Sequence, residues 1–313
     1  MGFENLRKKI ISFLIPNHPA LPIQKHAIQL IANQLQTSGV QFAAKQQELS
    51  AHENELVNQI RSRTHSRNVH NISRTEAYWS IFTEFPELHW ALLAHMVSRN
   101  SGWNMTDLKS NLYAHLLPQH DASELFSFLE RANALIFHDA YPQLLLYKES
   151  RKAGANLFHL LPYLGVSVFM HACWTQFWNL QDSVLLTEAL IINEQQYIQK
   201  RVVENAHFQK YVLNKFFFKA QSLLQQNQVV FPYLSNQPSN EPISVSTAGL
   251  ILENFADLSE RIQFGKKLYG ILFGIPQLHQ GIIRFAKQQP HTGSRADYWT
   301  QLFTMDKQSN QNN

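Results

Sequence analysis

The run ELHWALLAHMVSRN, residues 87–100, decides the fold class. Its apolar residues recur at three- and four-residue steps, the period of a helix with one face against a core, and do not alternate as a half-buried strand would. Pro86 stands where it opens a helix and Gly102 where it closes one. The same reading extends outward on both sides.

Upstream, Ser73 and Glu76 form the S-x-x-E pattern in which each side chain satisfies a free backbone amide of the other, so a helix is expected from there through Phe82. Before it, helices are expected from Phe3 to Ile15, stopped by Pro16 and Pro19, and from Pro22 to Ser38, ending at Gly39, with helical period resuming through Leu49, Leu56 and Ile60. Downstream, Thr106 is read as the cap of the following helix, and Asp121 with Glu124 as a second box ahead of Leu125–Phe137. Ser183 to Gln226 is the longest periodic stretch, with a break near Asn205. Strand-like alternation is confined to Val229–Tyr233 and Ile243–Val245.

The prediction is therefore an all-α protein, a multi-helix bundle-like globular architecture with at most minor β. A main helical domain covers 1–227, and the Gln-, Asn-, Ser- and Pro-rich composition around Gln221–Glu241 marks a linker, set at 228–247. A C-terminal helical unit, 248–305, is expected to pack on the main domain, and KQSNQNN, to residue 313, reads as a disordered tail over 306–313.

Composition narrows the classes. The single cysteine, Cys173, excludes an intramolecular disulfide framework and a thiolate zinc cluster, and fits a cytoplasmic location. Charged residues are 16%, against about 25% in ordinary globular proteins. The net charge is only +4, yet Arg61, Arg63, Arg67 and Arg74 lie in a stretch with no acidic residue between Glu55 and Glu76, so the basicity is local. Ala153–Gln181 has no formally charged residue and enough length to span a bilayer, but His159, Pro162, Gly165 and His171 interrupt it. A buried core helix bent near Pro162 is the expectation. Leu268–Ile283 is likewise broken, by Gly270, Gly274, Pro276 and Gly281.

The segments ELHWALLAHMVSRNSGWNMTDL (87–108), DAYPQLLLY, INEQQYI and RIQFGKKLYGILF together resemble the YppC-like family of Bacillus-type bacteria, a domain-of-unknown-function family. The resemblance covers Leu56 to Phe303. It implies a helical protein over that length and supplies no catalytic residue.

Candidate site residues come from polar groups set into apolar helices. Glu87, Ala91, His95 and Arg99 form one i, i+4 stripe, and His89, Leu93, Met96 and Asn100 another. One of them is expected to face a pocket in which His95 titrates near neutrality, Arg99 fixes an anionic group, and Asp107 and Trp103 stand close by. Glu194 is embedded in apolar residues, with Tyr197 and Arg201 on its face; it is either a pocket carboxylate or part of a buried Glu194–Arg201 interaction bridged by Tyr197. The ligand-binding candidates are Arg74, His89, His95, Arg99, Asn100, Asp107 and Glu194. The expected partner is an anionic small molecule or a protein, because arginines outnumber carboxylates around the basic segment and the following helix.

Two alternatives stand beside this reading. His138-Asp139 resembles the metal-binding pair of HD-domain phosphohydrolases, with His115 or His120 as the earlier ligand and Asp182 as the later one; that reading needs a divalent metal, whereas the main reading needs no cofactor. Glu204-x-x-His207 is a single copy of a spacing that di-iron bundles use twice. Peripheral contact with an anionic membrane is the second alternative, from the basic N-terminus, the Arg61–Arg74 segment and the lysines at 210, 215 and 219. The same cations would suit nucleic acid, a partner placed behind the others because no recognised motif accompanies them. His291-Thr-Gly-Ser-Arg295 is a loop with groups suited to an anion, without the lysine or context of a phosphate-binding loop.

Overall fold

The structure is a computed structural model that describes residues 21–23, 25–41, 48–110, 115–214, 227–235 and 245–300. The expected helix at Phe3–Ile15, the lysines at 215 and 219 and the tail at 306–313 lie outside the described residues. Among the described residues, nine α-helices of more than two turns follow in order: α1 Lys25–Gln41, α2 Ala51–Arg67, α3 Asn71–Glu84, α4 His89–Asp107, α5 Gln119–Ala153, α6 Val168–Leu180, α7 Ser183–Ile198, α8 Leu258–Gly274 and α9 Pro276–Gln288. Strands β1 Gln228–Leu234 and β2 Val245–Ile251 pair antiparallel between α7 and α8, with Phe231 opposite Ala248. The fold is mostly helical with one small sheet.

Helix α4 is central: it packs along α3 and touches α5, α7, α8 and β1. Trp90, Ala91, Leu92 and Met96 are buried in the main core, which Tyr147, Phe158 and Trp174 extend toward α6. A smaller apolar cluster joins Leu125 and Phe128 of α5 to Ile198, Val202 and Val212.

Several boundaries differ from the sequence reading, each for a local reason. Helix α4 runs through Gly102 and ends at Asp107, so Thr106 lies inside it. Gly102 is there for space: a Cβ would collide with Asn71 Oδ1 and sit 2.6 Å from His291 Nε2. Helix α3 starts at Asn71, because the His70 ring accepts from the Ser73 amide while Ser73 reaches back to the His70 amide, and the Ser73–Glu76 box is not used. Ser50 and Glu53 make the reciprocal box that opens α2. Helix α5 begins after Pro118, contains Pro142 and is the longest at 35 residues, ending at Gly154 in the left-handed region (φ 63°). Asp121 therefore lies in its first turn, where a carboxylate faces the positive end of the helix. Helix α1 continues past Gly39 to Gln41.

The stretch from Ser183 does break near Asn205, whose side chain accepts from the amides of His207 and Phe208; a π-type turn, Gln199–Val203, precedes it. The interrupted run Ala153–Gln181 folds as a 3-10 segment, Phe158–Leu164, holding Pro162, and then α6, capped by Ser167. Leu268–Ile283 is split at Ile275-Pro276 between α8 and α9. Among the described residues, no helix is long and apolar enough to cross a membrane. Of the segment read as a linker, 228–234 and 245–247 are strand, and Phe231 is fully buried: the apolar run of β1 precedes its polar middle.

Candidate functional site

Helix α4 presents two faces to two different environments. Trp90, Leu93, Ala94, Val97, Ser101 and Asn104 recur at three and four residues, and this stripe lines a cavity of about 220 Å³. Helix α5 adds Leu129, Ala132, Asn133 and Ile136; α7 adds Glu194, Gln195 and Ile198; α8 adds Arg261, Phe264, Gly265 and Leu268. Val229, Leu252 and Phe255 close the side toward the sheet. The lining is mainly apolar.

Its charged groups are few. Glu194 Oε1 accepts from Gln195 Nε2 (3.2 Å) with the Trp90 indole close by, and burial pushes its carboxyl up to about 8, so it keeps its proton at neutral pH. Arg261 is buried, and its guanidinium donates to Gln195 Oε1 (2.9 Å), the Phe255 carbonyl (2.5 Å) and Gln199 Oε1, all neutral acceptors. Burial lowers its pKa to about 10, which leaves it charged at pH 7. Arg74 is also buried; it pairs with Glu130 (2.5 Å) and donates to Asn68 Oδ1 (3.1 Å), while its Nε has no hydrogen-bond partner.

Of the residues the sequence singled out, Arg74, Asn100 and Glu194 reach this cavity. Asn100 is satisfied by β1, donating to the Val230 carbonyl (2.6 Å) and accepting from its amide (2.8 Å), so it fixes the sheet to α4. The others are elsewhere. His95 is bonded through Nδ1 to the Thr75 carbonyl (2.9 Å) and packs on Trp79; burial, with Arg99 nearby, lowers its pKa to about 3, and it is neutral at physiological pH. His89 bonds Tyr269 Oη (2.8 Å) and stacks on Phe273, and burial lowers it to about 4.

Arg99 and Asp107 serve the C-terminal loop. Arg99 donates to the carbonyl of Gln289 (2.9 Å) and faces Asp297 (3.4 Å), and Asp107 pairs with Arg295 (2.6 Å). Asp297 also accepts from Trp103 Nε1 (2.9 Å) and Thr292 Oγ1 (2.5 Å), and His291 Nδ1 lies 3.2 Å from it. The loop His291–Arg295, with its anion-friendly groups, is thus turned inward against α4.

The expected Glu194–Arg201 interaction is not formed: Arg201 lies over the Tyr197 ring (3.8 Å) and donates to the Tyr197 carbonyl. His138 and Asp139 diverge. Adjacent helix residues point about 100° apart, so His138 is exposed while Asp139 is buried, accepting from Asn193 Nδ2 (2.6 Å) and Gln143 Nε2 (3.2 Å). Asp182 caps α7 and His120 packs on Tyr211. Among the described residues, no group of three or more His, Cys, Asp or Glu is placed to hold a metal ion. His207 of the single Glu-x-x-His pairs with Glu124 (2.7 Å).

The residue that sequence reasoning missed is Arg261. A signal was present: Arg261, Phe264, Gly265 and Leu268 sit at i, i+3, i+4 and i+7, an arginine on an otherwise apolar stripe.

Fold and cavity define a mostly helical protein with a mainly apolar cavity and charged groups at its wall. The chain belongs to the family described as "Protein of unknown function (DUF2515)", whose profile matches residues 66–313. It is 42% identical over 242 residues to "Uncharacterized protein YppC" of Bacillus subtilis (strain 168), covering 77% of this chain and 72% of that protein. No solved structure matches.

Proposed function

We propose that this protein binds a compact amphipathic small molecule, its apolar body in the cavity and its anionic head against Arg261 and Arg74. The observation that carries the reading is Arg261: a buried guanidinium at a cavity wall, held by three neutral acceptors. A buried charge with no counter-ion in contact is costly, and a ligand anion would offset that cost. The partnerless Nε of Arg74 adds a second donor, and protonated Glu194 a third. About 220 Å³ is below the ~300–1,000 Å³ of drug-sized pockets, which sets the ligand as compact. A cytoplasmic location belongs to the same proposal, supported by the buried free thiol of Cys173.

Calorimetric titration with decanoate, decanol and decylamine tests it. Decanoate should bind and raise the melting temperature, decanol should bind more weakly, and decylamine should fail. Arg261→Met should weaken decanoate at least about tenfold, the loss of one charge-assisted hydrogen bond, and Ala132→Phe should block all binding by filling the chamber. Equal affinity for the three head groups, or no binding by any, would overturn the proposal.

A further inference from the structure

Away from the cavity, one outer face of the molecule gathers arginines that the fold leaves unpaired. Ser127, Arg131 and His138 are exposed and, with half-buried Ala134, form the solvent stripe of α5. Helix α2 runs antiparallel along one flank of this stripe: Asn68 Nδ2 donates to the Ala134 carbonyl (3.0 Å), and Arg63 lies near Tyr141. Helix α7 and its continuation run antiparallel along the other flank, with Asn193 bonded to Asp139 (2.6 Å) and His207 to Glu124 (2.7 Å). Those registers put Arg201 beside Arg131, and Arg67 about one turn further along.

Arg63, Arg67, Arg131 and Arg201 are all exposed, and among the described residues none of them is in an ion pair. Of the acids in the same neighbourhood, Glu130 pairs with Arg74 and Asp139 is buried under Asn193 and Gln143. Exposed Glu204, which accepts from neutral Gln199, and Glu124, bonded to His207, lie at the end of the face beyond Arg201. Packed helices are spaced ~8–10 Å apart, so three of them side by side spread the guanidinium groups over roughly 20 Å. That is a broad field, not a socket for one small anion.

Two further features select the partner. Val69, at 66% the most exposed large apolar side chain among the described residues, stands on the turn next to Arg67 at the edge of this face. The tyrosine rings of the face are taken: Tyr141 is buried and Tyr197 is covered by the Arg201 guanidinium. A face with diffuse positive charge, an apolar tip at its rim and no free tyrosine ring for a base to stack on suits an anionic bilayer.

We propose that the α2–α5–α7 face docks this protein peripherally on a membrane surface rich in anionic phospholipid, with Arg67, Arg131 and Arg201 against the headgroups and Val69 at the interface. The face is separate from the chamber and rests on different residues, so the two proposals stand or fall independently.

Co-sedimentation of the full chain with phosphatidylserine/phosphatidylcholine vesicles tests it. The protein should partition onto these vesicles at 0.05 M salt, leave them by 0.5 M, where the screening length has shrunk to a few ångströms, and ignore pure phosphatidylcholine. One arginine at an anionic surface is worth about fivefold, so Arg67→Gln, Arg131→Gln and Arg201→Gln together should lower partitioning about 100-fold. Val69→Ser, which removes no core contact, should lower it several-fold. Circular dichroism confirms that each variant is folded before it is scored. Partitioning onto pure phosphatidylcholine, an unchanged triple variant, or binding of a duplex oligonucleotide at 0.15 M salt with no vesicle binding would each overturn the proposal.

Discussion

Asp297 and Arg99 face each other at 3.4 Å, both side chains fully buried, although 198 residues separate them. The same carboxylate takes the Trp103 indole N–H at 2.9 Å and the Thr292 hydroxyl at 2.5 Å. Burial alone would raise the Asp297 pKa, but hydrogen bonds from His291, Thr292 and Trp103, with the charge of Arg99, hold it below the ordinary carboxylate value. The polar stripe of α4 is therefore a clasp for residues 289–297.

Removing one side of the clasp leaves a buried charge alone. Asp297→Ala should destabilise the fold by about 3–5 kcal/mol, the cost of breaking a buried pair from one side. Arg99→Met combined with Asp297→Ala should cost less than the two single changes added, because no orphaned charge remains. Urea unfolding of the four proteins measures this, and strict additivity would contradict the clasp.

The Asp139 and Glu194 carboxyls predict a slope in stability with pH. Burial raises Asp139 from 3.8 to about 7 and Glu194 from 4.5 to about 8. Between the unfolded and folded values the unfolded chain has released these protons and the native state has kept them. Stability therefore falls as pH rises from about 4.5 to about 8, by at most ~1.4 kcal/mol per pH unit for each group. Asp139→Asn with Glu194→Gln should flatten this part of the profile, read by denaturant unfolding at several pH values.

Gly102→Ala should lower stability even though alanine is the better helix former by about 1 kcal/mol. The added methyl collides with Asn71 Oδ1 and approaches His291 Nε2 to 2.6 Å, which forces α3 or the C-terminal loop away from α4. Overpacking of this kind costs ~1–3 kcal/mol. A melting temperature at or above that of the parent would show that the loop gives way freely.

His138 and Asp139 should part company on mutation. His138→Ala, on the exposed face of α5, should change stability by no more than about 0.5 kcal/mol. Asp139→Ala strands the buried amide of Asn193, leaves Gln143 Nε2 with the residue 139 carbonyl alone, and should cost ~1–3 kcal/mol. Asp139→Asn should be milder at pH 6, where the native carboxyl is itself largely protonated. Equal losses from His138→Ala and Asp139→Ala would favour a joint role for the pair.

Much of the helical architecture was legible because it is written in period and punctuation. The apolar spacing of residues 87–100 and the break at Asn205 reappear in the fold, whereas Ala153–Gln181, read as one core helix bent near Pro162, is a 3-10 segment holding Pro162 followed by the separate helix α6. Boundaries were less legible. Ser73–Glu76 and Asp121–Glu124 carry the pattern of a capping box, but His70 and Pro118 occupy the cap positions, since the chain starts a helix where tertiary contacts also favour it. Gly102 looks like a terminator in one dimension and proves to be a contact point in three.

The site divides in the same way. Sequence identified α4 as a helix with polar groups among apolar ones, marked Glu194 as an acid in an apolar setting, and located the basic segment at Arg61–Arg74. Which face of α4 meets the chamber, and that Arg99 and Asp107 bind residues 289–297 instead, depends on contacts across about 190 residues. Periodicity fixes which side chains share a helix face because it is a property of the backbone; what that face meets is fixed only when distant segments compete to bury it.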